Sequence, residues 1–308
     1  MCVWRVCVYI CVCRMKTSTF SVWVGLVRGL VLLYSALLVC LLIFSDRNGL
    51  LNFLQTRLGI GYKMAEKDYG DVCAVYIPNV DDPYVNITDR LDMFVFAHSI
   101  GWFIKALVLR NTRVAWVCSI LFELVEICFA HLLPNFNECW WDSVILDVFG
   151  CNLIGIHLAD LFLCILKFEK FNFSKIRHER NLFASLLLVI LITVIDLNYF
   201  FMKFVLIIPN THWLCVIRTL LWISISIPSA IELNQWCKKK ASSFKSCTSC
   251  IIGSIGLILE IALYYKFSDT LFQNAPNTPI VTIIMIVSSL YATIWAWCKT
   301  NKTSIVQK

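Results

Sequence analysis

The sequence predicts an all-α, polytopic membrane protein with about eight transmembrane helices. Three observations carry this. The 308 residues are 59% hydrophobic and only 15% charged, with a mean hydropathy of +0.75, which is too apolar for a soluble domain. Apolar runs long enough to cross a hydrocarbon core of about 30 Å, roughly 20 residues each, recur from Phe20 to Cys298. The cations that remain gather in alternate connections between those runs.

Reading apolar runs bounded by charge, Pro and Gly places the spans near 20–45, 91–109, 113–133, 143–166, 182–208, 213–235, 248–266 and 279–298. The domain division is a Cys-rich cytoplasmic N-terminus over 1–19, a membrane domain over 20–298 and a cytoplasmic tail over 299–308. The first segment, Met1 to Arg14, lacks a small-residue cleavage site and is not read as a secretory signal. It reads instead as an anchor, a palmitoylated segment or a misassigned first exon. The longest connection, Asp46 to Arg90, carries mixed charge and two prolines.

Eight crossings put the N-terminus, the Arg110 to Arg113 turn, the 167–180 loop, the 236–247 loop and the tail on one side. These hold the basic residues, among them Arg113, Lys167, Lys170, Lys238 and Lys245. The positive-inside rule makes that side cytoplasmic. The net charge of +7 therefore reflects topology, and no nucleic-acid partner is expected. The sequon Asn86-Ile-Thr88 falls on the lumenal side, whereas those at Asn172 and Asn301 fall on the cytoplasmic side. Most of the 16 cysteines sit singly in apolar runs and pack as small hydrophobes. Cys247-Thr-Ser-Cys250 has redox or zinc spacing but no second pair. Cys73 and Cys139 both lie in lumenal connections, which leaves a disulfide between them open.

Charges at membrane depth are costly and mark functional sites. Glu123 and Glu126 stand at i and i+3 in an apolar run, on one helix face, where two anions repel unless a cation or proton lies between them. Asn135, Glu138 and Asp142 follow at steps of three and four, which on a helix forms one stripe, and Asp147 lies in the next span. These six residues offer oxygen alone, which favours a hard cation, and calcium accepts such a set more readily than magnesium. In the preceding span His98 lies at a similar depth, suited to general-base work near neutral pH. Lys105 and Arg110 could attract a lipid phosphate, although snorkelling to the cytoplasmic interface is the simpler account of both.

The run Leu132-Leu-Pro-Asn-Phe-Asn-Glu-Cys-Trp-Trp-Asp-Ser-Val-Ile-Leu-Asp147, continuing through Cys151-Asn152, closely resembles the signature of the eukaryotic base-exchange phosphatidylserine synthase family. The stretch His98-Ser-Ile-Gly-Trp102-Phe-Ile-Lys105, with Arg110, Trp116 and Glu123 after it, resembles that family too. So do Glu66 to Cys73 and Asp196 to Lys203. The resemblance implies a transferase of the endoplasmic reticulum membrane that uses Ca2+ and no organic cofactor. Such an enzyme exchanges the choline or ethanolamine of phosphatidylcholine or phosphatidylethanolamine for L-serine. It further implies His98 as the catalytic histidine, and Glu123, Glu126, Asn135, Glu138, Asp142 and Asp147 as calcium ligands. Cytoplasmic termini, a lumenal active site and a homodimer belong to the same expectation. Family members have about ten spans and the helix at 20–45 resembles the third, so two N-terminal helices lack a counterpart here.

The reaction expected is attack of the serine hydroxyl on the lipid phosphorus, with His98 taking its proton; a phosphohistidine intermediate remains open. The rival CDP-alcohol phosphotransferase route needs an Asp-Gly-x-x-Ala-Arg motif that the chain lacks. A transporter with an intramembrane carboxylate site would be supported by broken helices in corresponding positions of two halves, whereas the acids here cluster in one segment without a counterpart. The remaining alternative is an inactive truncated homologue.

Overall fold

A computed structural model describes residues 16–60, 70, 72–78, 81–91, 93–171, 179–238 and 243–268. The span expected at 279–298, the tail over 299–308 and nearly all of the 1–19 segment lie outside the described residues, as do the sequons at Asn172 and Asn301. Helices occupy the seven other expected spans. Among the described residues, five helical stretches are long and apolar enough to cross a membrane: Thr17–Leu42, Asp142–Ile165, Arg180–Val205, Trp213–Cys237 and Thr248–Lys266.

Helix α1 (Thr17–Leu42) buries Val24, Val27, Val31, Ser35 and Leu38, a stripe spaced by three and four residues. Val22, Leu26, Leu33 and Leu37 point outward, as lipid-facing residues must. The stripe packs on the last two described helices, α7 (Trp213–Cys237) and α8 (Thr248–Lys266). Contact is close because Gly256 leaves room: a Cβ there would lie 3.1 Å from the Trp222 ring and 3.4 Å from Ser35 Oγ.

Helix α2 (Arg47–Leu58) was not expected within the Asp46 to Arg90 connection. Its twelve residues span roughly 18 Å, too short to cross a bilayer. Asp46 caps it by accepting from Gly49 N at 3.0 Å, and Gly59, at φ +68°, ends it in the left-handed conformation that glycine tolerates. The cap bonds hold the Asp46 carboxyl below its ordinary range. Leu50, Leu51 and Leu54 are buried, so α2 lies along the bundle end. His212 donates to Leu58 O at 3.1 Å and Arg47 donates to Val205 O, fixing it there.

Helices α3 (Met93–Leu109) and α4 (Thr112–Phe129) form a tight hairpin whose turn residue Arg110 has φ +45°. Asn111 caps α4 by accepting from Val114 N. Arg110 does not snorkel: it is buried, with its guanidinium 5.1 Å from the Phe168 ring and 4.9 Å from Phe171. The next span begins as a π-helical segment, Asp142–Asn152, and continues without a break as α5 (Leu153–Ile165). Gly155 lets α5 touch α3, since a Cβ there would fall 2.4 Å from Ser99 O. Helix α6 (Glu179–Val205) then leads to α7, which contains Pro228.

Contacts at the two ends agree with alternating crossings. Lys238 pairs with Glu169, Arg180 donates to Trp236 O, and Asn111 donates to Phe171 O at one end. At the other, Lys266 donates to Leu42 O, the last carbonyl of α1, and to Phe44 O just beyond it. The disulfide left open above is present at this second end, joining Cys73 and Cys139. The sequon asparagine beside it is engaged: Asn86 Nδ2 donates to Val72 O and Ala74 O. Cys247 and Cys250 are buried at the start of α8 and serve as packing residues.

One polar node ties four helices together. Glu260 on α8 is fully buried. Its Oε1 accepts from Tyr34, Arg218 Nε and Trp222 Nε1, and its Oε2 from Arg218 Nη2 and Asn198 Nδ2. Glu260→Gln leaves the Arg218 cation without its counter-charge and is expected to destabilise the fold by about 3 kcal/mol or more. Thermal unfolding in detergent checks this, and adding Arg218→Leu is expected to restore part of the loss. Gly155→Val forces α3 and α5 apart, with an overpacking cost of about 1–3 kcal/mol and a lower Tm in the same assay.

Candidate active site

A cavity of about 700 Å3 opens among α3, α4, α6, α7 and the π-helical segment. His98, Glu126, Asn135, Glu138, Asp142 and Asp147 line it. Six of the seven residues singled out from the sequence therefore face one space. Glu123, the seventh, lies behind the wall and touches the site through Asn152.

Asn152 organises the site. It is completely buried at the end of the π-helical segment. Its Nδ2 donates to Ser119 Oγ at 2.8 Å and to Glu123 Oε1 at 3.0 Å. Those two acceptors turn the amide so that Oδ1 faces His98 Nε2, 2.8 Å away. The arrangement places the proton on Nε2 and leaves Nδ1 as the basic nitrogen. Trp102 Nε1 also approaches Nε2, at 3.1 Å, and is its donor in the other tautomer. Asp147 Oδ1 stands 4.0 Å from the same nitrogen.

The acids come from three elements. Glu123 and Glu126 are buried on α4, one turn apart. Asn135 lies in the 3-10 turn Pro134–Phe136, and Glu138 in the link after it. Asp142 opens the π-helical segment and Asp147 lies at its middle. The stripe expected from Asn135 through Asp142 is not helical: Pro134 opens only a single 3-10 turn, and the Cys73–Cys139 bond pins the chain that follows. Trp141 Nε1 donates to Cys73 O, and Gly70 lies so close to Asn137 that a Cβ would clash at 2.5 Å. The lumenal loop is thereby fastened to the segment carrying Asn135, Glu138 and Asp142.

These carboxylates crowd one another. Glu126 is within electrostatic range of Glu138, Glu123 and Asp147. Arg90 approaches Asp142, with Nε 3.8 Å from Oδ2, and Ser143 donates to Glu138 at 3.2 Å. Burial, reinforced by the charges of Asp142 and Glu123, pushes the Glu138 carboxyl up to about 7. Full ionisation of the cluster thus needs added positive charge. Glu123 Oε2 is buried without a hydrogen-bond partner. Among the described residues, no three His, Cys, Asp or Glu side chains are already arranged to hold a metal ion. The donor chemistry nevertheless fits a hard cation: the ligand atoms are all oxygen, they repel one another, and one buried oxygen is unsatisfied.

The chain matches the family described as phosphatidyl serine synthase over residues 19–183 and 166–268, which takes in every site residue above. The chain belongs to the phosphatidyl serine synthase family. A rice relative named CDP-diacylglycerol–serine O-phosphatidyltransferase 2 is 32% identical over 313 residues, covering 90% of this chain and 74% of the relative. Human phosphatidylserine synthase 2 is 32% identical over 225 residues, covering 62% of this chain and 46% of the human protein. The Drosophila melanogaster phosphatidylserine synthase is 28% identical over 276 residues, covering 78% and 54%. The chain thus spans about half the length of the two animal relatives.

Several polar residues in or behind the cavity wall of this phosphatidyl serine synthase family member left little signal in the sequence. Asn152 was noted only within a matching run. Arg218 and Glu260, single charges in apolar spans, carried a signal that was passed over. Lys105 does not snorkel: it faces the cavity and pairs with Asp196 at 2.7 Å. Asn152→Leu removes both the donor to Glu123 and the acceptor for His98. It is expected to lower phosphatidylserine-forming activity about 10- to 100-fold per mole of monodisperse protein, with membrane accumulation retained.

Proposed function

We propose that the chain forms phosphatidylserine by base exchange, replacing the choline or ethanolamine of a phospholipid with L-serine. The observation carrying this reading is that His98, oriented by Asn152, faces a crowded all-oxygen acid cluster across one cavity. Family membership supports the product. The absence of an Asp-Gly-x-x-Ala-Arg motif supports exchange over nucleotide chemistry.

In the reaction, the basic nitrogen of His98 takes the proton of the serine hydroxyl as its oxygen bonds to phosphorus. The bond from phosphorus to the amino-alcohol oxygen breaks, and the proton passes to that leaving oxygen. One phosphodiester replaces another, so no external energy source is needed. Asn152 holds the imidazole in one tautomer throughout, and Asp147 beside Nε2 stabilises the imidazolium. Glu123, Glu126, Asn135, Glu138, Asp142 and Asp147 would hold calcium, which supplies positive charge to the phosphate oxygens. The proposed setting is the endoplasmic reticulum membrane, with the site toward the lumen. A disulfide at the site's end of the bundle favours that oxidising side.

A second reading is favoured by the rice relative's name, which specifies CDP-diacylglycerol as the phosphatidyl donor. Labelled L-serine supplied to membranes expressing the chain separates the two. Base exchange predicts label in phosphatidylserine without CDP-diacylglycerol, lost on chelating calcium. Label that appears only when CDP-diacylglycerol is added would establish the second reading. His98→Ala is expected to lower incorporation by at least about 100-fold with the protein still in the membrane. Retained activity would remove His98 from the mechanism.

A further inference from the structure

We infer that Lys105 and Asp196 form the acceptor subsite: a charge pair that recognises an amino-acid zwitterion, with Lys105 taking the α-carboxylate and Asp196 the α-ammonium. The inference rests on the base-exchange reading and deepens it by assigning residues to acceptor selection.

Lys105 and Asp196 line the same cavity as His98, from α3 and α6 respectively. Their side chains are 21% and 22% exposed, so cavity contents can reach both. The pair differs in this from Arg218 and Glu260, at 10% and 0%, where every carboxylate oxygen is already occupied by protein donors. Lys105 Nζ donates to Asp196 Oδ2 at 2.7 Å, which leaves donors on the ammonium. Asp196 Oδ1 has no partner among the described residues. Both signs of charge therefore have spare hydrogen-bonding capacity on the cavity side.

Trp102 stands between the His98 ring and Lys105. Its Nε1 lies 3.1 Å from His98 Nε2, and the Lys105 ammonium lies 4.0 Å from its ring centroid. One indole thus bridges the His98 imidazole and the cation. In serine the hydroxyl and the carboxylate are separated by two carbons, and the ammonium shares the carbon that bears the carboxylate. A serine whose hydroxyl meets His98 brings its two charges to the pair. The aromatic walls, Trp102 and Phe122 at 5.4 Å from Nζ, exclude water and strengthen both contacts.

Charge complementarity excludes the simpler ligand. A phosphate placed on Lys105 would meet the Asp196 carboxylate directly beside it. The lipid phosphate has its place instead at His98, where the serine hydroxyl must reach it. An amino alcohol such as ethanolamine satisfies Asp196 but leaves Lys105 without a carboxylate. The pair therefore discriminates the incoming amino acid from the amino alcohol released, without altering the overall equilibrium.

The test measures saturation curves for labelled L-serine and labelled ethanolamine as acceptors, then for the donor phospholipid, in membranes of matched protein content. Lys105→Gln is expected to raise the serine KM by roughly tenfold or more and to leave the ethanolamine KM within about threefold. Asp196→Asn is expected to raise both, because both acceptors carry the ammonium. The double variant Lys105→Gln/Asp196→Asn keeps an uncharged hydrogen bond between α3 and α6. It is expected to fold, to lose the serine preference and to keep the donor KM. Equal loss for both acceptors in Lys105→Gln, or a raised donor KM with the serine preference intact, would overturn the assignment. A wild-type chain that is active while Lys105→Gln and the double variant keep its selectivity defeats the subsite alone. A wild-type chain that incorporates neither acceptor defeats the base-exchange reading and the subsite with it.

Discussion

Every polar group carried into a bilayer must find its partner within the protein, and this constraint shapes the molecule more than any apolar contact. Three nodes meet it. Glu260 gathers Tyr34, Asn198, Arg218 and Trp222, and so joins α1, α6, α7 and α8. Asn152 gathers Ser119, Glu123 and His98, and so joins α3, α4 and the π-helical segment. Lys105 and Asp196 link the two groups across the cavity. The cavity lies between these two groups of helices, with the partly buried Lys105–Asp196 pair reaching across it.

The nodes also separate structural acids from functional ones. Glu260 is saturated: both its oxygens accept from protein donors, and a cation contacts it at two points. Such a pair roughly balances the desolvation of its members, provided neither is removed. The acids around His98 have no comparable supply. Arg90 approaches Asp142 and Ser143 serves Glu138, yet Glu123 Oε2 is left bare and Glu126 faces three other carboxylates. A buried unsatisfied group costs about 1–3 kcal/mol, and more when charged. An arrangement this costly persists where a ligand or cation completes it.

What the sequence revealed follows from what kind of signal each feature leaves. Apolar length marks a span regardless of neighbours, so the helices from Thr17 to Lys266 were legible. Glu123, Glu126, Asp147 and His98 stood out because a charge within an apolar run is rare. The path from Asn135 to Asp142 was misread because spacing implies a stripe only if the chain is helical. Pro134 and a bond from Cys139 to a residue 66 positions away prevented that. Helix α2 was missed because its short interfacial stretch alternates polar and apolar residues without a long run. Lys105 looked like an interfacial snorkeller because its partner, Asp196, lies 91 residues onward. Asn152 gave little warning, since a neutral amide in an apolar span is a weak signal until its three partners are in place.

The π-helical segment explains why the site needs that amide where it is. Asp142, Asp147 and Asn152 are spaced by five and all three are buried. In an α-helix, residues five apart are turned about 140° from each other, so three in succession cannot share a face. A hydrogen-bond ladder closed at i+5 brings every fifth residue much nearer to alignment, as the bond from Leu153 N to Val148 O requires. The expansion lasts from Asp142 to Asn152 and gives way to α-helix at Leu153. Within it, Asp142, Leu146 and Asp147 face the cavity. Such wide turns are intrinsically unfavourable, and this one is fastened at both ends. The disulfide and Arg90 hold its entrance, and Asn152 locks its exit to Ser119, Glu123 and His98. The same amide therefore closes the irregular turn and orients the base, so a change that relaxed this segment to regular helix would remove Asp147 and Asn152 from His98 together.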